Sequence, residues 1–381
     1  MKHLLNKVVV LITILILAMG LTHPVSAASK RQIINLGTLG GCCSIAWDIN
    51  EKGQVVGTSN TGSDDHAYVW KNGIITDLGT LGGSFSGAQG INKKGHVVGA
   101  SGTTFNETHA FLWKDGIMTD LGTLGGSFSL ARDINDRGQV VGASNTSSGH
   151  QHAFLWQNNN MTDLGTLPGG STSFIIAINA INKHGEVIGL SDTASFSQHS
   201  FVWKNGVMID LGTLGGSFTF AQYINDKGEI VGNSQTGLAS GESHAFLWKN
   251  GVLNDLGTLG GTTSFALAIN ENGEIVGGST TASGETHAVL WKNNKMIDLG
   301  TLGGSTSFAS DINDEGQIVG NSLNALGEFN AFFWENGKMK DLGTRGGPIG
   351  STAINNDGDV MMTSETGQGE ELWSAFIWTK R

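Results

Sequence analysis

Short runs with the character of β-strands alternate with short polar turns along almost the whole chain. In the repeat that starts at Ser127 these runs read SLARDIN, QVVGAS, HAFLW and MTDLGTL. The turns between them include N-x-x-G and K-N-G patterns, which supply the positive φ angles that tight hairpins require. The pattern therefore predicts four short antiparallel strands in each repeat.

Three motifs recur eight times, with successive L-G-T segments 42 to 47 residues apart. The L-G-T segments begin at Leu36, Leu78, Leu121, Leu164, Leu211, Leu256, Leu299 and Leu342. I-N-x-x-G begins at Ile49, Ile91, Ile134, Ile181, Ile224, Ile269, Ile312 and Ile354. An aromatic-rich strand ends at Trp70, Trp113, Trp156, Trp203, Trp248, Trp291, Trp334 and Trp378. Four strands in about 43 residues is the signature of a propeller blade.

The strands are apolar on both faces, as in the segment from His109 to Trp113. Phe111 and Trp113 lie on one face of this strand, and Ala110 and Leu112 lie on the other. A sheet buried on both faces needs neighbours on both sides, as a blade has, whereas a two-layer sandwich would show polar residues at alternate positions. A parallel β-helix, which normally uses a shorter repeat, is the second choice.

The two ends of the repeat array complement each other. The segment from Gln32 to Gly37 matches the fourth strand of a repeat, and the last repeat ends at Trp378 without that strand. Pairing the two would remove two exposed sheet edges. The sequence therefore predicts an all-β fold: an eight-bladed β-propeller of four-stranded antiparallel blades, closed by pairing the N-terminal strand with the C-terminal blade.

The repeats resemble the HAF-repeat family, a bacterial group of probable extracellular repeat proteins. The resemblance rests on His-Ala-Phe at 109–111, 152–154 and 244–246, and on the variants at 66–68 and 199–201. The D-L-G-T-L-G-G and I-N-x-x-G-x-V-V-G segments also fit, and the likeness covers essentially all of residues 32–381. It implies an extracellular or envelope location and supplies no catalytic residues.

The N-terminal segment is typical of a secretory signal peptide. Lys2 and Lys7 precede an apolar run from Val8 to Leu21, and the small-residue end V-S-A predicts cleavage after Ala27. We therefore expect residues 1–27 to be the signal peptide and 28–381 to be a single propeller domain of eight repeats. The mature protein is then secreted, extracellular or periplasmic, with no membrane span after cleavage.

Charge and cysteine content narrow the range of partners. The net charge is −11, and loss of Lys2 and Lys7 makes it −13, which disfavours nucleic acid and anionic membranes. The two cysteines, Cys42 and Cys43, are adjacent, so they cannot staple distant segments. Free thiols and a bond between the two both stay open. We expect a monomer.

The repeated histidines have a structural interpretation. Equivalent positions in neighbouring blades should lie ~12 Å apart, too far to share a metal ion, whose nitrogen ligands lie ~2.1 Å away. We therefore expect hydrogen-bonding roles for His66, His109, His152, His199, His244 and His287, and no metal or cofactor. The aspartates of the D-L-G segments are interpreted as turn partners or edge guards.

Function is expected where the repeat departs from its own pattern. Long loops of variable sequence precede the HAF strands, and variable loops on a rigid scaffold suit recognition. Near the junction of the two chain ends, Trp47 replaces a small or polar residue, and Trp373 follows Glu370 and Glu371. These four residues are the binding candidates of a secreted scaffold that engages a protein or a glycan through the variable-loop face.

Two other functions stay open. A glycan hydrolase or lyase would use carboxylates near the central channel, where Asp48, Asp133 and Asp311 end the first strands of three repeats. A hydrolytic pair needs carboxyl groups ~5–9.5 Å apart, and side chains turned away from the channel would argue against it. A purely structural role in an envelope or matrix is the third interpretation.

Overall fold

The computed structural model describes residues 31–177, 179–195, 197–237, 241–343, 349–365 and 373–380. In these ranges the chain forms strands and no helix. The strands of the first half are β1 (Gln32–Asn35), β2 (Ser44–Ile49), β3 (Val55–Asn60), β4 (Asp65–Lys71), β5 (Ile74–Asp77), β6 (Gly82–Ile91), β7 (Val97–Thr103), β8 (Thr108–Lys114), β9 (Ile117–Asp120), β10 (Gly125–Ile134), β11 (Val140–Thr146), β12 (Gln151–Gln157), β13 (Asn160–Asp163), β14 (Ser173–Phe174), β15 (Val187–Asp192), β16 (Gln198–Lys204) and β17 (Val207–Asp210). Those of the second half are β18 (Thr219–Ile224), β19 (Ile230–Gln235), β20 (Ser243–Lys249), β21 (Val252–Asp255), β22 (Gly260–Ile269), β23 (Ile275–Thr281), β24 (Thr286–Lys292), β25 (Lys295–Gly300), β26 (Gly303–Ile312), β27 (Ile318–Asn324), β28 (Phe329–Glu335), β29 (Lys338–Gly343), β30 (Ile349–Ile354), β31 (Val360–Glu365) and β32 (Trp373–Thr379).

The strands pair antiparallel in groups of four, which we number as units along the chain. Units one to seven are β2–β5, β6–β9, β10–β13, β14–β17, β18–β21, β22–β25 and β26–β29. Single parallel pairs, such as Thr108 with Phe128, join units two and three into one larger sheet and units five to seven into another. Unit eight has the order β30-β31-β32-β1, so the strand that starts the chain pairs with the strand that ends it. In this pairing Ile33 lies opposite Trp378 and Ile34 opposite Ile377.

The hydrophobic core lies between neighbouring sheets, which is the arrangement of a β-propeller and confirms that part of the predicted fold. One cluster joins Tyr68 and Trp70 of unit one to Ile377 of unit eight. Another joins Val56 of unit one to Phe111 of unit two. Because each sheet buries both faces, the strands are apolar on both faces, as the sequence pattern predicted.

A β-bulge recurs near the end of the first strand of six units. In unit three the register shifts between Ala131 and Asp133, so that Arg132 is the extra residue. The opposing Gly142 is required here, because a Cβ on it would lie 1.9 Å from the carbonyl oxygen of Leu130. A bulge re-aims the side chains beside it, and these bulges all lie at the centre of the fold.

Buried asparagines of the I-N-x-x-G turns link each unit to the next. The amide of Asn50 donates to the carbonyl of Asn92, and that of Asn92 donates to the carbonyl of Asn135. The series continues through Asn182, Asn225, Asn270 and Asn313 to Asn355, whose amide donates to the carbonyl of Asn50 at 3.0 Å. Every unit thus contributes one buried donor and one buried acceptor to its neighbours.

Tyr68 places a hydroxyl group in the hydrophobic core. It is fully buried, and its hydroxyl has no hydrogen-bond partner among the described residues. We expect Tyr68→Phe to raise the free energy of unfolding by about 1 kcal/mol, since a buried unpaired hydroxyl costs roughly that much. Phe111 occupies the same position in unit two, so Phe111→Tyr should lower stability. Urea unfolding of both variants measures the effect, and a loss of stability in Tyr68→Phe would contradict the assignment.

Candidate functional site

A cavity of about 600 Å³ lies where the first strands of the units converge. We call it the axial cavity. Its wall is formed by the ends of these strands, and its mouth by the turns that follow them. The mouth residues are Glu51, Lys93, Asp136, Lys183, Asp226, Glu271, Asp314 and Asn356. The cavity therefore opens on the face of the uniform turns, opposite the variable loops.

The bulges explain the composition of the cavity wall. Trp47 and Asp48 are consecutive residues, yet both line the cavity because Trp47 is the extra residue of its bulge. The same holds for Ser310 and Asp311 of unit seven. In a regular strand, consecutive side chains point to opposite faces, and the bulge interrupts this alternation at Trp47 and at Ser310.

The three predicted carboxylates line the axial cavity, and each also bridges to the next unit. The carboxylate of Asp48 accepts hydrogen bonds from the amides of Ile49 at 2.7 Å and Ile91 at 2.8 Å. The carboxylate of Asp311 likewise accepts the amide hydrogens of Ile312, which follows it, and of Ile354 in unit eight. Asp133 bridges from unit three to two amides of unit four. The three carboxylates therefore link neighbouring units by hydrogen bonds.

The enclosure of these side chains makes their carboxyl groups hard to ionise. Desolvation raises the pKa of Asp48 to about 6 and those of Asp133 and Asp311 to about 7, although the backbone amides favour the charged form. The charge of Asp48 adds to the rise at the other two. Near neutral pH the cavity therefore holds a mixture of neutral and ionised carboxyl groups.

We expect the stability of the protein to fall as pH rises from about 4 to 7. The unfolded chain loses these protons near pH 4, whereas the folded chain keeps them up to about pH 6 to 7. The folded state thus binds more protons across this window, and linkage makes stability decline by on the order of 2–4 kcal/mol, since part of each side chain faces the open cavity.

Urea unfolding between pH 4 and pH 8 measures how the free energy of unfolding changes with pH. Asp133→Asn removes one of the three groups and should flatten the decline. Asp65→Asn, at an exposed strand start, is the control and should leave the decline unchanged. Equal slopes for Asp133→Asn and the unaltered protein would contradict the assignment.

The structure describes two of the four predicted binding residues, and both belong to the junction of units one and eight. Trp47 lines the axial cavity. Trp373 starts β32, where its ring packs over Gly350 so closely that a Cβ there would lie 3.0 Å from it. Glu370 and Glu371 lie outside the described residues. Whether the four residues form one binding patch therefore stays a prediction.

The six repeated histidines each contact an aspartate of the same unit. In unit two, Nδ1 of His109 lies 2.8 Å from Oδ2 of Asp120. The other carboxylate oxygen of Asp120 accepts the amide hydrogen of Gly122. The equivalent pairs are His66–Asp77, His152–Asp163, His199–Asp210, His244–Asp255 and His287–Asp298. In unit seven Asn330 replaces the histidine and donates to Asp341. These pairs join the third strand of a unit to its fourth.

Sequence reasoning missed three residues of the cavity wall. Tyr223 stands where other units have aspartate or a small residue, and burial together with the charges of Asp311, Asp133 and Asp48 raises its pKa well above the usual value. Asn321 and Thr352 also line the cavity. The repeat pattern shows Tyr223 as a departure from the residues of the other units. It does not show that Asn321 and Thr352 line the cavity, because that depends on how the units pack.

Three observations bear on metals, membranes and thiols. Within the described ranges, no group of three or more His, Cys, Asp or Glu side chains is placed to hold a metal ion. No helix in the same ranges is long and apolar enough to cross a bilayer. The sulfurs of Cys42 and Cys43 are bonded to each other.

The chain is similar to solved β-propeller structures at low sequence identity. It resembles the β-propeller domain of the Trilobed protease from Pyrococcus furiosus at 9% identity and a TM-score of 0.49, covering 79% of this chain and 98% of that one. It also resembles a puromycin-hydrolyzing peptidase from Mycobacterium tuberculosis at 10% identity and a TM-score of 0.50. That match covers 83% of this chain and 56% of the peptidase, so this chain spans little more than half of its length. No family model matches the chain, and no curated protein does.

Proposed function

We propose that this chain is a closed eight-bladed propeller that acts as a binding scaffold, with a protein segment or a glycan as its ligand. Eight four-stranded units, the β1–β32 pairing and the asparagine bonds that return to Asn50 support the blade number and the closure. The HAF-repeat resemblance and the predicted signal peptide support the proposal that the protein is secreted.

The observation that carries the binding function is the axial cavity itself. Its volume of about 600 Å³ lies in the range of small-molecule sites. Trp47 contributes an aromatic side chain to its wall, and acidic residues ring its mouth. The sequence favoured the variable-loop face as the binding surface. Because Trp47 lines the axial cavity, we propose the cavity as the binding site instead.

Binding is favoured over catalysis by the bonds of the three aspartates. Both carboxylate oxygens of Asp48, Asp133 and Asp311 already accept backbone amides. A general base needs an oxygen within hydrogen-bond reach of the substrate, and these oxygens hold neighbouring units together. Removing them should therefore affect stability before it affects any chemistry.

A glycan hydrolase or lyase is the second candidate function. The three aspartates face the cavity, and pKa values of about 6 to 7 for these groups suit acid–base work near neutral pH. An envelope or matrix role, the third interpretation, predicts no soluble ligand.

A screen of the purified protein against glycan and surface-protein arrays tests the proposal. We expect a ligand whose binding is lost in Trp47→Ala and kept in Trp373→Ala, because only Trp47 lines the cavity. Turnover of a bound glycan that disappears in Asp133→Asn would establish the enzyme instead. No ligand on either array would refute the binding function.

A further inference from the structure

Unit eight departs from the repeat at its first strand. Met362 stands where six other units have the glycine that faces the bulge. The register shift lies earlier in this strand than in the other units, between Ile349 and Thr352, so Thr352 lies directly opposite Met362. As a result the Thr352 side chain is only 8% exposed, and its hydroxyl has no hydrogen-bond partner among the described residues.

A second unpartnered group lies on the neighbouring unit. Asn321 belongs to β27, which packs against β30. It is 3% exposed, and its Oδ1 has no hydrogen-bond partner among the described residues. Asn233 holds the same position in unit five, but it is less buried and its amide donates to the hydroxyl of Ser243 at 3.0 Å.

Both unpartnered groups line the axial cavity. A buried polar group without a partner costs about 1–3 kcal/mol, and such groups are uncommon in native proteins unless a ligand or water serves them. Two of them on adjacent strands of one cavity wall therefore mark a place where a ligand supplies the missing bonds.

The surrounding charges and surfaces restrict the ligand. Five acidic residues and two lysines lie at the mouth of the cavity, and three partly ionised aspartates line its wall. Negative charge is therefore in excess, which favours a cation. The Oδ1 of Asn321 accepts hydrogen bonds and cannot donate them, so the ligand must present a donor. Phe308 and Trp47 add aromatic surface to the same wall.

We infer that the wall between units seven and eight, around Asn321 and Thr352, is a subsite for a sugar residue with a free amino group. The inference rests on the proposed binding function and names its ligand class. The sugar hydroxyls bond to Asn321 and Thr352, the ammonium group lies among the carboxylates, and the C–H face of the ring packs on an aromatic side chain. Anionic sugars are excluded by charge.

Calorimetric titration with four probes tests the ligand class. Glucosamine should bind at least about tenfold more tightly than glucose, because it adds a charge, and glucuronate should not bind. Nα-acetyl-lysine amide carries the same ammonium group without the sugar ring and should bind more weakly than glucosamine. Binding of Nα-acetyl-lysine amide as tight as that of glucosamine, or no binding by glucosamine, would overturn the sugar assignment.

Matched variants test the location. Asn321→Ala should weaken glucosamine binding about tenfold, the effect of one lost hydrogen bond to a charged or well-placed donor, and Asn233→Ala should leave it unchanged. Thr352→Val, which keeps the shape and removes the hydroxyl, should weaken binding and at the same time raise the melting temperature of the ligand-free protein. Unaltered binding in both Asn321→Ala and Thr352→Val would overturn the subsite.

The experiments distinguish a failure of the proposed binding function from a failure of the amino-sugar subsite. If an array ligand binds in a Trp47-dependent manner while glucosamine does not, the scaffold function stands and only the amino-sugar subsite is wrong. If neither the array ligands nor glucosamine bind, both are wrong.

Discussion

A chain that begins at Leu36, and so lacks β1, should lose at least about 4 kcal/mol of unfolding free energy. Ile33 and Ile34 pack against the clusters of unit eight and its seam with unit one. Burying one such side chain contributes about 1.5–3 kcal/mol, and the ladder bonds to β32 add about 1 kcal/mol each. Loss of β1 also exposes the edge of β32, so the truncated chain should aggregate on heating. Urea unfolding and light scattering measure the two effects.

A permuted chain provides the control for this truncation. Thr379 pairs with Gln32, so the four residues Gln-Ile-Ile-Asn can be moved to follow Thr379 through an Asn-Gly turn. This is the connection that Asn72 and Gly73 make in unit one. We expect the permuted chain to regain most of the lost stability. If it stays as unstable as the truncated chain, the pairing of β1 with β32 does not account for the loss.

Asn355→Ala should lower the unfolding free energy by about 2–4 kcal/mol. Its amide donates to the carbonyl of Asn50 across the junction of the chain ends, and its Oδ1 accepts the amide hydrogen of Asp359. Truncation removes both bonds and takes away the acceptor of the Asp359 amide hydrogen, which lies in a buried residue, so an added cost follows.

Asn92→Ala is the matched variant, because Asn92 makes the equivalent bond between two units that follow each other directly in sequence. Both asparagines are 4% exposed. A closed propeller predicts equal losses in urea unfolding. If Asn355→Ala costs much less than Asn92→Ala, the first and last units do not hold each other in solution, and the proposed closure is wrong.

The repeat made most of the fold predictable. Eight copies of the same motifs determine strand number, turn positions and the fourth strand supplied by Gln32 to Asn35, because each depends on local patterns and on the phase of the repeat. The β-propeller fold is confirmed in the structure. The position of Asp48 at the end of an inner strand was also predictable, since it follows from the strand order within a unit.

The site was only partly predictable. The sequence identified Trp47 as a departure from the repeat on an inner strand, but not its position in a bulge, because alternation along a strand does not reveal one. The histidines were expected to make hydrogen bonds, but their partners, such as Asp120 for His109, lie on the next strand and became visible only in the register of the pairing.

The sequence by itself determined the architecture: short strands apolar on both faces, glycine at the turns, and a repeat whose two ends complete each other. Tertiary structure alone decided what faces the axial cavity. A glycine opposite the first strand permits the bulge at Trp47, next to Asp48. In unit eight Met362 takes the place of that glycine, the register shift lies earlier in the strand, and Thr352 is buried opposite Met362. Burial then sets the pKa values of the aspartates and leaves Asn321 without a partner. These properties depend on neighbours that are distant in sequence, so the repeat pattern does not encode them visibly.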